Sequence, residues 1–531
     1  MLTEQALAGL IAGLHGLNHD CTDFETNIAV LGEAAKLARG MLTQNGKLAD
    51  MAGARFENGR VTLPPEQQES WRALREGGWT SLADPAEFGG QALPLPLAVA
   101  AQMLFDAEDV ALGMLTLNQR CAVRLLRKAA PAQMQALWIP RLTSGEWAAT
   151  ICISEPDAGS DVGRIRSLAT QGEDGRWRIT GQKCWISYGD HDLAPNILHL
   201  VLARAPGQKP GTRGLSLFLL PDRKEDGSRN KIEILRIEEK MGLHASPTCV
   251  LALDGAEALP ISAEGQGLRA MFGMITGMRL GVGSQGSALA AKACDIAWAY
   301  AADRCQGGPA DAPALPIHEH AEVRRLLLDA RLTATGAMLL TLQAAAWMQG
   351  GDEGDEAAAA RVAVLLPVVK TFAAEAAFDT SSLAMQVLGG AGYTREWPVE
   401  RIMRDSRVFS IFEGTTAIQA LDLVLRQLLG SGAGAAAELL DILAPAPAIL
   451  TPLRTLLAKL AEAPPLAREQ AALPVLRLFG LACIDGLLRR HKAVTGEALL
   501  AWHEAGLAAK LNALLVATEW VDTKALHASL T

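Results

Sequence analysis

The run SIFEGTT at residues 410–416 places one ionisable carboxylate, Glu413, between an aromatic side chain and a Gly-Thr-Thr turn, two residues after the charged segment RIMRDSR. Two chemistries suit an acid so placed. One is a helix-start carboxylate, favoured by the dipole of a helix that begins near Thr416 and is capped by Thr415. The other is an acid with a chemical role, which the run by itself leaves open. Two further stretches supply groups that could hold a ligand. In ICISEPDAGSDVG (151–163) a β run ends at Ile153 and is followed by hydroxyls, an acid, proline and two glycines. Backbone N–H groups and the hydroxyls of Ser154 and Ser160 are then available to an anion or a carbonyl-rich ring, although a capped strand-to-loop turn accounts for the same residues. GQKCWIS (181–187) carries Trp185 and Ser187 at the end of another strand, where the indole serves either the core or a stacking platform. Two such loops from one β domain are suited to a planar heteroaromatic ring.

The elements that must position these groups follow from periodicity. Residues 1–145 read as a helical domain: FETNIAVLGEAAKLARGML and AVAAQMLFDAEDVALGMLTLNQRCAVRLLRKA repeat apolar residues at spacings of three and four. Between 146 and 262 the period shortens, and WAATICI, GRWRITG, NILHLVLAR, GLSLFLL, KIEILRI and TCVLALD predict a compact β domain. Helical periodicity returns over 263–430, with solvent loops expected at QGGPADAPALP (306–316) and QGGDEGDE (349–356). Residues 431–531 read as a helical C-terminal extension. The hexapeptide GVGSQG (281–286) fits a dinucleotide fingerprint in its letters alone, because no strand precedes it and no acid follows on a next strand; close helix packing through small residues is the better reading.

Composition excludes several classes. A formal charge of −9 over 531 residues, without a basic run, argues against a nucleic-acid binder. Eight scattered cysteines without a CxxC pair predict buried thiols in a reducing compartment, with neither a disulfide framework nor a metal site. The start MLTEQALAGLIAGLHG is acidic at Glu4 and lacks a basic region, and no uninterrupted run of about 18 apolar residues occurs. A cytoplasmic protein with no membrane span is expected.

The order SEPDAGSD, GQKCWIS, RCQG, GGAGYTREWPVERIMRDSR, FEGTT resembles the acyl-CoA dehydrogenase family over about residues 70–430. SYGDHDLAPNILHLVLAR, EEKMGLHASPTCVLALDGAEA and MRLGVGSQG are similar to the branch that contains 3-methylmercaptopropionyl-CoA dehydrogenases, whose members also carry a helical extension. The resemblance implies a mainly helical α+β fold: an N-terminal helical domain (1–145), a middle β-barrel-like domain (146–262), a helical-bundle domain (263–430) and the extension (431–531). It implies FAD in a crevice completed by a neighbouring subunit of a homodimer or homotetramer. Ile153 and Ser154 would then meet the flavin ring, Trp185 would stack beside it, Ser187 would approach its reactive nitrogen, and Ser160 would face phosphate. From the partner, Arg304 and the Gln386 to Gly390 stretch would reach the pyrophosphate and adenosine half, and Thr415 would also sit near the cofactor. Ser160, Arg279 and Gly414 are the residues expected at the acyl-CoA. The chain departs from the family in CQGG, which replaces an aromatic-Gly pair after the arginine, and in Thr276, where some relatives place an acid.

The activity so implied is dehydrogenation of an acyl-CoA to a trans-2-enoyl-CoA, with Glu413 as base and an electron-transfer flavoprotein as acceptor. Some members carry the base just before the helix arginine, but that position here is Met278. Three other activities share the motifs: an acyl-CoA oxidase using dioxygen, a desaturase of carrier-protein-bound acyl groups, and a DNA-associated relative of low activity. The acidic charge balance disfavours the last.

Overall fold

The computed structural model describes residues 1–16 and 23–519, so Cys21 and the end of the expected extension, 520–531, lie outside the described residues. The first helices are α1 (Glu4–Ala12), α2 (Phe24–Leu37), α3 (Thr43–Ala52), α4 (Pro65–Glu76), α5 (Leu95–Asp106), α6 (Val110–Ala129) and α7 (Ala132–Thr143). Later come α8 (Gly267–Asp303), α9 (Ala321–Asp352), α10 (Glu356–Leu388), α11 (Val399–Ser406) and α12 (Thr416–Leu421). The last are α13 (Ala433–Leu443), α14 (Pro447–Ala461), α15 (Pro465–Arg490), α16 (Lys492–Thr495) and α17 (Glu497–Val516). The strands are β1 (Arg55–Glu57), β2 (Arg60–Thr62), β3 (Ala148–Cys152), β4 (Leu168–Gln171), β5 (Trp177–Ser187), β6 (Ile197–Arg204), β7 (Leu215–Pro221), β8 (Ile232–Ile237) and β9 (Thr248–Pro260). The chain forms two compact units, Ala29–Gly281 and Met1–Ile28 with Val282–Thr531, a division that does not follow the expected borders at 145, 262 and 430.

In the first unit, β6, β4, β5, β9 and β7 pair in that order and β7 returns to β6, so the sheet closes into the expected barrel. β3 runs parallel to β6, and β8 lies along β9. β6 and β7 are apolar at nearly every position because both faces are buried. Leu198, Leu200 and Leu202 join a core with Leu117, Val123 and Leu126 of α6, whereas Val201 and Ala203 point into the barrel with Phe218 and Leu251. Residues 1–145 are not purely helical. β1 and β2 form an antiparallel hairpin whose turn is Asn58 (φ 53°) and Gly59 (φ 74°), the left-handed pair that a two-residue hairpin requires.

GVGSQG lies within α8, with all but Gly281 in the second unit. A Cβ at Gly283 would run into Val369 and one at Gly286 into the backbone of Ala373, so these glycines bring α8 against α10. α9 runs on through Gly350 and Gly351 to Asp352, which narrows the loop expected at 349–356 to residues 353–355. A tight approach permits this, because a Cβ on Gly351 would lie 3.0 Å from Ala359. Two helical stretches, Glu356–Tyr393 and Pro465–Arg490, are long and apolar enough to cross a membrane, but 72% and 78% of their most apolar windows are buried within the protein, as in core helices. In the extension, Asp485 of α15 accepts from the Ala446 N–H (2.7 Å), Arg489 Nε (2.9 Å) and His503 Nε2 of α17 (3.1 Å). Among the described cysteines, Cys305 is exposed, contrary to the expectation of buried thiols; the other six are buried and all seven are free.

Candidate active site

The first unit brings Ile153, Ser154, Trp185 and Ser187 together at adjoining strand ends. The Cys184 N–H donates to the Ser154 carbonyl (3.0 Å), tying the segment after β3 to the end of β5. The β5–β9 register shifts between Lys183 and Ile186, and Trp185 has φ 62°. This bulge interrupts the alternation of the strand and turns the indole outward, 64% exposed, between the buried Cys184 and Ile186. Ser187 is half-buried, and its carbonyl accepts from Asn118 Nδ2 (3.2 Å). Ser160 is exposed farther along the loop, beside Gly159, at which a Cβ would meet nothing within 4 Å. Arg279 is buried at 8% exposure in α8, and Met278 beside it at 1%.

Two residues not singled out in the sequence hold this platform. Lys183, fully buried, donates from Nζ to Glu155 Oε1 (2.8 Å), the Ile153 carbonyl (3.0 Å) and the Leu202 carbonyl (2.8 Å). Glu155 accepts the Arg166 and Ser167 N–H groups at 2.6 and 3.0 Å, and its own backbone exchanges two hydrogen bonds with Ala158. Burial works to raise the Glu155 carboxyl, but the Lys183 ammonium and these donors outweigh it and hold it below the ordinary value. A lysine next to the apolar Cys184-Trp185-Ile186 end of a strand is the only sequence signal for such a pair.

The second unit carries Glu413, half-buried in the turn before α12. Glu413 has φ 55° and Gly414 φ 87°, two successive left-handed residues. For a non-glycine residue this conformation costs roughly 1–2 kcal/mol and persists where the surroundings enforce it. The surroundings are the fully buried Gln419 and Lys370. Gln419 Nε2 donates to the carbonyls of Glu413 (3.0 Å) and Gly414 (3.3 Å), and Lys370 Nζ to that of Gly414 (2.7 Å). Thr415 is the N-cap, its hydroxyl accepting from the Ile418 N–H at 3.5 Å. Phe412, beside the acid, stacks at a tilt on Phe409 with centroids 5.8 Å apart.

In the same unit a concave pocket of about 750 Å³ is lined by residues that include Tyr300, Arg304, His320, Gly389 and Gly390. Gln386 lies one turn earlier on α10, exposed but outside this lining, and Glu413 is not part of it. Gly389 adopts φ 61°, ψ −137°, a backbone that only glycine takes readily, and a Cβ on either Gly389 or Gly390 would meet nothing within 4 Å. At the pocket rim His320 Nε2 donates to the Gln306 carbonyl (2.7 Å), in the segment where CQGG departs from the family pattern.

One unit carries an acid in a clamped turn among helices and the other a barrel with an exposed indole platform, and these are the parts of a flavoprotein dehydrogenase fold. The acyl-CoA dehydrogenase middle-domain model matches residues 150–256 and the C-terminal-domain model residues 265–429. The 3-methylmercaptopropionyl-CoA dehydrogenase of Ruegeria pomeroyi is 38% identical over 428 residues, 78% of this chain and 73% of that protein. The broad-specificity linear acyl-CoA dehydrogenase FadE5 of Mycobacterium tuberculosis is 33% identical over 78% of this chain and 72% of its own. Caenorhabditis elegans ACDH-11, solved in complex with C11-CoA, shares the fold at a TM-score of 0.82 and 21% identity, over 96% of this chain and 89% of that one. The chain belongs to the acyl-CoA dehydrogenase family, whose members are FAD-dependent oxidoreductases.

The residues present fit FAD. The first unit offers an exposed indole face with backbone and hydroxyl groups at adjoining strand ends, the donor set for an isoalloxazine ring. The second unit offers an exposed guanidinium beside two glycines with open space over them, a cradle suited to a pyrophosphate.

Proposed function

We propose that this acyl-CoA dehydrogenase oxidises the Cα–Cβ bond of an acyl-CoA thioester to the trans-2-enoyl-CoA, with Glu413 as the catalytic base. The observation that carries the reading is the conformation of Glu413: a carboxylate residue held at φ 55° in a turn of the family-matched domain, which a simple helix-start acid would not need. Its carboxylate takes the α-proton, and the pair of electrons left at Cα forms the new double bond as the β-hydrogen departs. FAD, when bound, accepts that hydrogen with its electron pair. Ile153, Ser154, Trp185 and Ser187 hold the ring, Ser160 serves phosphate or the acyl-CoA, and Arg279 and Gly414 meet the thioester. Arg304, with the Gln386 to Gly390 stretch, holds the adenosine half of a neighbouring subunit's cofactor, and Thr415 sits near the cofactor as well. An electron-transfer flavoprotein takes the electrons onward.

The relatives' substrates define the panel that tests this. Anaerobic addition of 3-methylmercaptopropionyl-CoA and of linear acyl-CoAs to the oxidised holoenzyme bleaches the flavin for the true substrate class and yields the enoyl-CoA. Failure of every thioester to bleach it contradicts the assignment. Peroxide formation in air at the rate of reduction identifies an oxidase instead.

A further inference from the structure

We propose that Lys370 is a positioning residue for this reaction: with Gln419, its buried ammonium holds the left-handed Glu413–Gly414 turn and thereby the orientation of the base. The proposal rests on Glu413 being that base. Both peptide carbonyls that follow the two left-handed residues end on buried donors, Glu413 on Gln419 Nε2 (3.0 Å) and Gly414 on Lys370 Nζ (2.7 Å) and Gln419 Nε2 (3.3 Å). These bonds fix the peptide planes on either side of Gly414 and so restrict rotation about the backbone that carries the Glu413 side chain. Gln419 also packs closely over the turn, since a Cβ on Gly414 would come within 2.8 Å of its Nε2.

Packing alone does not explain the lysine. Lys370 is fully buried on α10 between Val369 and Thr371, which are themselves buried. Burying an ammonium is unfavourable compared with burying an apolar chain of the same length. What an apolar chain lacks is a charge-assisted donor, roughly twice as strong as a neutral one, for a carbonyl adjoining the acid. The arrangement fixes the backbone that carries one carboxylate at the expense of an easier core, which is the pattern expected where orientation limits a proton transfer.

The test compares Lys370→Met, Gln419→Leu, Glu413→Gln and the double variant Lys370→Met/Glu413→Gln as FAD-loaded protein. Lys370→Met is expected to keep its FAD and to bind acyl-CoA within a few-fold of the parent. Flavin reduction at saturating acyl-CoA should slow by roughly 10–100-fold, the size of effect that slight misplacement of a reacting group produces. Amide hydrogen exchange across residues 411–416 should quicken. In the Glu413→Gln background the lysine substitution should slow reduction little further, because it acts only through the base. Gln419→Leu should repeat the slow reduction and the quickened exchange, and it carries the test if the lysine variant fails to fold. Parental reduction and exchange in either single variant, with Glu413→Gln slow, overturns the clamp and leaves the base in place. Full multiplication of the two losses in the double variant also overturns it, since the lysine would then act elsewhere. Parental reduction by Glu413→Gln removes the base itself, and the clamp with it.

Discussion

Lys183 and Glu155 sit within one short stretch of each other in space and join the two loops that carry the proposed ring contacts, yet neither side chain faces solvent. Burial draws the ammonium of Lys183 down from its ordinary value, against the attraction of Glu155 that holds it up. Removing one partner of such a pair leaves the other charge buried and alone, at a cost of about 3–5 kcal/mol. Lys183→Met should therefore lower the urea midpoint by that equivalent and release FAD, because the Ile153 carbonyl loses its donor; unchanged FAD occupancy would show that the pair does not support the platform. The sequence made Trp185 and Ser187 legible, since an aromatic and a hydroxyl at a strand end have recognisable uses. It did not show that Trp185 points outward. That depends on a register shift between β5 and β9, a property of two strands together. Glu413 was legible as a candidate for the same reason, while its left-handed backbone and the donors beneath it, 43 residues earlier in Lys370 and 6 later in Gln419, became visible only in three dimensions.

At the scale of elements, the barrel buries two histidines in their neutral form. His199 shares a 2.8 Å hydrogen bond with Thr150 through Nδ1, and its Nε2 has no hydrogen-bond partner. His191 accepts the Leu193 N–H through Nδ1. Burial draws His199 down to about 4 and His191 to about 3, with nearby positive charge adding to the effect. A depressed histidine means that the unfolded chain takes up protons first as the solution is acidified. The stability these groups contribute is therefore full above about pH 6.5 and falls as the pH drops toward 4, by about 1 kcal/mol for His199 at pH 5.5. The buried carboxyl of Asp190, raised to about 6, works in the opposite direction over the same range. Comparing urea midpoints at pH 7.5 and 5.5 isolates the histidine: His199→Gln should shrink the difference by that amount, and an unchanged difference would contradict the assignment. The β domain was legible because its runs are short, apolar and punctuated. The β1–β2 hairpin was missed although Asn58-Gly59 is a strong hairpin signal, because its strands are only three residues long and have neither the length nor the alternation to stand out among helices. β4 (Leu168–Gln171), four residues long, is likewise too short to stand out, while the extent of α9 was misjudged because glycines that usually end a helix here allow α10 to approach.

At the scale of the whole molecule, the order of segments was readable from periodicity, but compactness was not, since α2 and α8 each run across a boundary between the two units. The extension packs within the unit that carries Glu413: a Cβ on Gly480 of α15 would lie 3.1 Å from Val368, two residues before Lys370. No proposed catalytic or cofactor group lies beyond residue 430, so substitutions in α13 to α17 should change stability and leave the reductive half-reaction intact. If Arg304 serves a neighbour's cofactor, FAD-loaded protein should elute with light scattering corresponding to at least two chains, and a strict monomer that holds FAD tightly would contradict that role. The central claim, that Glu413 takes the α-proton, is tested most directly by Glu413→Gln in the intact holoenzyme. Glutamine preserves the shape of the side chain and its hydrogen-bonding reach but cannot accept a proton from carbon. The measurement is the single-turnover rate of flavin bleaching under saturating acyl-CoA, taken beside FAD occupancy. A general base contributes about 10²–10⁴-fold, so the variant should keep FAD and bleach at least about 100-fold more slowly; a variant that keeps FAD and bleaches within a few-fold of the parent rate would contradict the account.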